Sequence, residues 1–233
     1  MDSPRIESRD RLQAARRFFN MAVLGGVIAF LGPCAGNVVQ FDVGTDQAFS
    51  FLRVFEAAPN VLGAAGLILA ILGTFKISRM LRDSGTFWLV GSTVVGAFAL
   101  IATGVAMVLV LGGRVGERPW FLAQTLAGLG GYAWLWMLSE GMRRSVRAAD
   151  LSVPARYWQW TGRLAMASLA SAVLFPIFAW LFSFVAGVPV LILFGFLLGL
   201  IPVGALICFF MSASETHKTL RTLQRSHAMR AGA

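Results

Sequence analysis

Charged side chains are scarce in this chain, and their scarcity decides its class. Asp, Glu, Lys and Arg together make up 13% of the 233 residues, while hydrophobic residues make up 57% and the mean hydropathy is +0.72. A soluble globular domain carries roughly 25% charged residues. The composition therefore excludes an ordinary soluble globule and predicts an integral membrane protein.

Histidine is rare as well, which removes several kinds of chemistry. It occurs only at His217 and His227, both near the C-terminal end of the chain. The long apolar segments thus have no imidazole to bind a haem, ligate a catalytic metal or activate a nucleophile. Their middles also lack Asp, Glu, Lys and Arg, residues that commonly mark ion-coupled transport. We expect no enzyme activity, no metal and no cofactor.

The only two cysteines, Cys34 and Cys208, lie near opposite membrane surfaces in the topology predicted below. A disulfide between them is therefore excluded, and without a CxxC motif neither redox exchange nor a structural zinc site is expected. Pro33 occupies the position before Cys34 where a lipoprotein cleavage site needs a small residue. We therefore expect the first apolar segment to be retained as a membrane span.

Six apolar segments of about 20 residues dominate the sequence, and a helix of that length crosses roughly 30 Å of hydrocarbon. They cover residues 18–39, 59–77, 86–111, 120–138, 164–185 and 188–212. The pattern predicts an all-α, polytopic transmembrane helical bundle with six spans, formed by a single domain over residues 1–233.

Three segments lie outside the predicted spans. Residues 1–17 form a basic arm, and residues 213–233 form a basic tail. Residues 40–58 form an outer interfacial loop, in which the spacing of Phe49, Leu52 and Phe55 indicates a short helix lying on the membrane surface.

Positive charge is distributed unequally across the predicted membrane. Seventeen of the twenty Lys and Arg residues fall on one side, and only Arg53, Arg114 and Arg118 fall on the other. Because positively charged loops are retained in the cytoplasm, both termini are expected there, in a bacterial inner membrane. The net charge of +9 is then explained by topology and by anionic headgroups at the cytoplasmic face, and no nucleic-acid partner is expected.

Basic and aromatic residues between the fourth and fifth spans are candidate membrane-surface anchors, because Arg and Trp both favour the headgroup region. These residues are Arg143, Arg144, Arg147, Trp158 and Trp160.

A few polar residues in the outer half of the spans are candidates for lining a cavity. They are Asn37, Gln40, Gln124 and Thr125. The alternative is that they form hydrogen bonds between helices. Pro176 and Pro202 interrupt the fifth and sixth spans, and each predicts either a static kink or a hinge.

Small residues repeat at four-residue spacing in three of the spans and are candidates for close helix packing. They are Gly66, followed by Ala70, in the second span, Ala123, Ala127 and Gly131 in the fourth, and Gly195 and Gly199 in the sixth. Such stripes let helices approach closely, either within one bundle or between copies of an oligomer.

Two functions remain consistent with these features. The first is a channel or transport subunit that acts as an oligomer, without ion-coupling charges in the membrane. The alternative is a non-catalytic accessory or scaffold subunit of a larger membrane protein complex.

Overall fold

The structure, a computed structural model, describes residues 3–39, 49–81, 85–112, 117–182 and 188–231. Within these ranges the chain forms six helices and no strand, which confirms the predicted all-α bundle. The helices are α1 (Ser3–Val39), α2 (Phe49–Met80), α3 (Thr86–Gly112), α4 (Glu117–Ala148), α5 (Ser152–Phe182) and α6 (Val188–Ala231).

Three segments are long and apolar enough to cross a membrane among the residues that the structure describes. They are Val61–Met80 in α2, Thr86–Ala106 in α3 and Leu200–Thr222 in α6. At 1.5 Å per residue, the shortest of them extends about 30 Å, the thickness of the hydrocarbon core. These segments support the prediction of a membrane protein.

The helices extend well beyond the predicted spans. The basic arm belongs to α1, and its Leu12 side chain is only 3% exposed in the core. The basic tail belongs to α6, where Leu220 is also buried. Residues 49–58 of the expected outer loop form the start of α2, while residues 40–48 lie outside the described part of the chain. Arm and tail are therefore packed parts of the bundle at the end where α1 begins.

Consecutive helices pack against each other, and α1 also contacts α4 and α6, which closes the bundle. Glycines bring α1 and α2 close together. A Cβ added at Gly73 would lie 2.6 Å from the backbone nitrogen of Ala22, and one at Gly66 would lie 2.7 Å from the carbonyl oxygen of Gly25. Only glycine allows the two backbones to approach this closely.

A tight turn joins α4 to α5 and aligns these two helices. Asp150 adopts a left-handed conformation with φ of 62°, which Asp tolerates better than most residues. Its N–H donates to the carbonyl of Arg147 over 2.9 Å, and the N–H of Leu151 donates to that of Val146 over 3.0 Å. This is the hydrogen-bond pattern of a Schellman motif, completed by the burial of Val146 and Leu151.

Candidate functional site at the basic end of the bundle

The basic end of the bundle is the end at which α1 begins and α6 ends. Buried side chains from several helices meet there around a small cavity that has a single charged residue, Arg16, in its lining. The cavity is lined by Leu12, Ala15, Arg16 and Phe19 of α1, Ile77 of α2, Leu81 beyond it, Met142 of α4, and Thr216 and Leu220 of α6.

Trp158 is the largest side chain that is fully buried at this end. Its indole N–H donates to the hydroxyl of Thr216 over 3.0 Å, and its ring packs edge to face on Phe19 and Phe209, with centroids 5.8 Å and 5.9 Å away. The prediction that Trp158 anchors the chain at the membrane surface is therefore wrong. Its N–H finds a partner on α6, so the ring does not need the headgroup region.

Trp160, two residues further along α5, is 49% exposed and faces away from the bundle. The guanidinium of Arg163 lies over its ring, 5.2 Å from the centroid. Residues two positions apart face different sides of a helix, which explains why Trp158 is buried and Trp160 is exposed.

Hydroxyl groups link α5 and α6 next to Trp158, on the side away from the basic end. The side chains of Thr161 and Ser212 are both buried, and their hydroxyl oxygens lie 2.8 Å apart. Ser212 also donates to the carbonyl of Cys208, and Thr216 donates to that of Ser212, each over 2.7 Å. These bonds satisfy polar groups that have no access to water, as an apolar environment requires.

Trp134 of α4 occupies the middle of the bundle. It packs edge to face on Phe209 at 6.4 Å, and its ring lies against Gly26 of α1 and Gly96 of α3. Unlike Trp158, its buried indole N–H has no hydrogen-bond partner among the described residues. Trp134 and Trp158 therefore both pack on Phe209, but only the N–H of Trp158 forms a hydrogen bond.

The charged groups near the end of α4 form a local ion-pair cluster. Glu140 accepts hydrogen bonds from Arg143 over 2.8 Å and 2.6 Å and from Arg144 over 2.8 Å. Burial acts to raise the pKa of Glu140, but the hydrogen bonds and positive charges of the two arginines outweigh it and hold that pKa below its ordinary value. The carboxylate therefore stays ionised at neutral pH.

The three arginines predicted as surface anchors differ in their surroundings. Arg143 is 22% exposed beside Glu140. The guanidinium of Arg144 also lies over the ring of Trp88, 5.2 Å from its centroid, and so connects α4 to α3. Arg147 is exposed at the end of α4.

A second contact between distant parts of the chain joins the arm to the tail. Arg16 of α1 places Nε 3.2 Å from Nδ1 of His217 and Nη2 2.9 Å from Nε2 of the same imidazole. Both side chains are half-buried. Two segments that the sequence presents as separate basic ends are thus held together on one surface.

Most residues predicted to line a cavity cannot be located at the side-chain level. Gln40 and the side chains of Asn37 and Gln124 lie outside the described part, and Thr125 is half-buried on α4. The helices continue through Pro176 and Pro202, although the side chain of Pro176 also lies outside that part. The role of these four polar residues as a cavity lining stays a prediction.

The small residues predicted for helix packing are placed in different surroundings. Gly66 lies directly against the α1 backbone, and Ala123 is buried. Ala127 is half-buried, and a Cβ added at Gly131 would meet no atom within 4 Å, so Gly131 makes no close helix contact with the described residues. Gly195 and Gly199 belong to α6, but their surroundings lie outside the described part of the structure.

Sequence reasoning missed the polar contacts of this end. A signal existed for one of them, because Cys208, Ser212 and Thr216 follow each other at the four-residue spacing of one helix face. No local pattern indicates that Arg16 meets a residue 201 positions away. Among the side chains that the structure describes, no group of three His, Cys, Asp or Glu residues is arranged to hold a metal ion.

Comparison with known proteins gives no further assignment. No protein-family model, curated protein or solved structure matches this chain.

Proposed function

We propose that the chain crosses a bacterial inner membrane six times and keeps both termini in the cytoplasm. Three described segments are long and apolar enough for a crossing, and even the shortest helix, α3, has 27 residues. The unequal distribution of Lys and Arg supports the orientation. The basic end of the bundle, which holds Arg16, Arg143 and His217, then faces the cytoplasm.

Single cysteines introduced into a chain with Cys34→Ser and Cys208→Ser test this topology. A membrane-impermeant maleimide is expected to label Ala233→Cys in inverted vesicles and not in intact spheroplasts. Arg114→Cys is the matched control and is expected to give the opposite pattern. Labelling of Ala233→Cys from outside intact spheroplasts contradicts the proposal.

Within this topology, we propose a non-catalytic accessory or scaffold subunit of a larger membrane protein complex. The observation that carries the proposal is the aromatic packing inside the bundle, where Trp134 and Trp158 both pack edge to face on Phe209. The buried polar side chains in the described part are all serine or threonine, and their hydroxyls are engaged in hydrogen bonds. A solute path needs an opening lined by polar groups, whereas the one buried polar atom without a partner among the described side chains is the indole nitrogen of Trp134, so this packing favours a structural role.

A second candidate, an oligomeric channel or transport subunit, is favoured by open space beside α3 and α4 further from the basic end. A Cβ added at Gly104, Gly128 or Gly131 would meet no atom within 4 Å. Gln124 and Thr125 belong to the same part of α4. A second copy of the chain, or a weakly polar path between copies, would fit beside these helices.

Purification of the full-length protein in native-like lipid distinguishes the two candidates. A scaffold subunit is expected to copurify with a different membrane protein at fixed stoichiometry and to leave liposomes electrically silent. A homo-oligomer that conducts ions or small solutes supports the transport candidate and contradicts the scaffold. If flux is observed, Asn37→Leu and Gln124→Leu test the cavity, because unchanged flux in folded variants excludes both amides from its lining.

A further inference from the structure

Cationic side chains converge where α1 meets α6 at the basic end. Arg16 contacts both ring nitrogens of His217, at 3.2 Å and 2.9 Å. Arg221 follows His217 by four residues and therefore projects from the same face of α6. Arg16 and His217 are half-buried, and Arg221 is exposed, so the cluster opens to the surface of the bundle.

The hydrogen bonds within this cluster leave Arg16 incompletely satisfied. A guanidinium has donors only, and a neutral imidazole has one acceptor nitrogen while its other nitrogen is a donor. Only one of the two short contacts is therefore a hydrogen bond, and the other sets two donors against each other. His217 supplies no negative charge in either protonation state.

No described carboxylate supplies that charge. Glu140 pairs with Arg143 and Arg144 of α4, at 2.6 Å and 2.8 Å, and Glu215 pairs with Lys218 at 2.8 Å. Glu215 is thus engaged with another cation of its own helix. A half-buried guanidinium without an anion is costly, because it has lost part of its hydration without gaining a counter-charge.

We propose that Arg16, His217 and Arg221 form a binding site for a phosphate-bearing anion. The guanidinium matches the spacing of two phosphate oxygens and binds them in a bidentate manner, while Arg221 adds charge and His217 adds a ring N–H. The apolar side chains of Leu12, Phe19 and Leu220 lie next to Arg16 in the lining of the small cavity. The anion is either the headgroup of an anionic phospholipid or a free phosphate ion.

The site does not depend on the proposed function. Only its placement at the cytoplasmic leaflet rests on the proposed topology, and cysteine labelling measures that topology separately. A failure of anion binding therefore leaves the topology intact, and a reversed topology moves the site to the other leaflet without removing it.

Lipid titration of the full-length protein in a neutral detergent tests the site. The thermal unfolding midpoint and lipid retention in native mass spectrometry are measured with phosphatidylglycerol, phosphatidylcholine and inorganic phosphate. Phosphatidylglycerol is expected to raise the midpoint and to remain bound, and Arg16→Gln or Arg221→Gln is expected to weaken this binding about tenfold. Arg156→Gln removes an exposed charge of α5 from the same end and is expected to leave binding unchanged.

The three ligands separate the possible sources of the anion. Stabilisation by phosphatidylglycerol alone identifies a lipid headgroup, and stabilisation by inorganic phosphate as well identifies a site for the free anion. Equal responses to phosphatidylglycerol and phosphatidylcholine overturn the proposal, as does an Arg156→Gln variant that loses as much affinity as Arg221→Gln. Because Arg221 is exposed, its variant carries the test even where Arg16→Gln fails to fold.

Discussion

The indole N–H of Trp158 donates to the hydroxyl of Thr216 over 3.0 Å, and both side chains are buried in the interior of the bundle. The two residues are 58 positions apart in the chain. Their hydrogen bond fixes the register of α5 against α6, because it forms at only one relative position of the two helices. A buried polar group without a partner is costly, so this bond also makes that register the stable one.

The Trp158 hydrogen bond is expected to make two similar substitutions unequal. Trp158→Phe removes the donor and leaves the buried Thr216 hydroxyl with one partner fewer. Trp134→Phe removes a comparable volume from the same core but deletes an N–H that has no partner. We expect Trp158→Phe to lower the free energy of unfolding by about 1–3 kcal/mol more than Trp134→Phe does. Denaturant unfolding in mixed micelles measures both, and equal losses would show that the hydrogen bond contributes nothing.

Close approach of α1 and α2 predicts that a single methyl group at Gly66 is harmful. In Gly66→Ala the added Cβ would lie 2.7 Å from the carbonyl oxygen of Gly25, so the two backbones must separate. We expect a loss of roughly 1–3 kcal/mol in unfolding free energy, as for other overpacked sites. Gly128→Ala, where the Cβ meets open space, is the matched control and should be neutral or slightly stabilising. Thermal denaturation measures the unfolding midpoint of both variants. An equal change in midpoint for Gly66→Ala and Gly128→Ala would exclude close backbone contact at Gly66.

Two consecutive phenylalanines on α6 are expected to differ sharply in their contribution to stability. Phe209 is buried between Trp134 and Trp158, whereas Phe210 is 44% exposed. Phe209→Ala leaves a cavity in the core and is expected to cost about 3–5 kcal/mol. Phe210→Ala should cost far less, since its ring has no enclosed position to vacate. Unfolding of both variants by thermal denaturation decides the point, and a larger loss for Phe210→Ala would reverse the assigned orientation of α6.

The ion pairs of Glu140 predict a pH dependence on the acidic side. The pKa of Glu140 is lower in the folded protein than in the unfolded chain, so its ion pairs stabilise the fold above the unfolded value of about 4.3. This stabilisation is lost as the pH falls through the lower, folded value. The difference in unfolding midpoint between the native protein and Glu140→Gln should therefore be present at neutral pH and disappear in acid.

Glu215→Gln is the control for that pH series. Its partner Lys218 is 67% exposed, and such surface pairs contribute little to stability. A Glu140→Gln difference that persists unchanged at the lowest pH would show that ionisation of Glu140 is not its source.

The sequence predicted the elements of the fold more completely than it predicted the site. Its apolar runs indicate helices, and the structure has helices at all six positions. The first and sixth helices extend beyond their predicted spans, because residues 3–17 of the arm and 213–231 of the tail are too polar to belong to a membrane span. In the structure, their apolar faces pack into the core through residues such as Leu12 and Leu220.

Trp158 was predicted to lie at the membrane surface and is instead buried, because a tryptophan ring is stable in either place once its N–H has a partner. Composition and position place Trp158 at a membrane surface, and the same rule applies equally to Trp160. Only the packing of α5 against α6 separates them, by giving Trp158 a buried acceptor in Thr216 and leaving Trp160 exposed. A rule that uses residue type and distance from a span end has no access to that difference.

By itself, the sequence determined the class of protein, its helical content and the segments apolar enough for a membrane, because hydropathy and run length depend only on neighbouring residues. The tertiary structure alone decided which tryptophans are core residues, which glycines touch another backbone and that Arg16 meets His217. These relationships depend on helix rotation and register. Rotation and register are fixed by contacts between residues far apart in the chain, and no local pattern contains them.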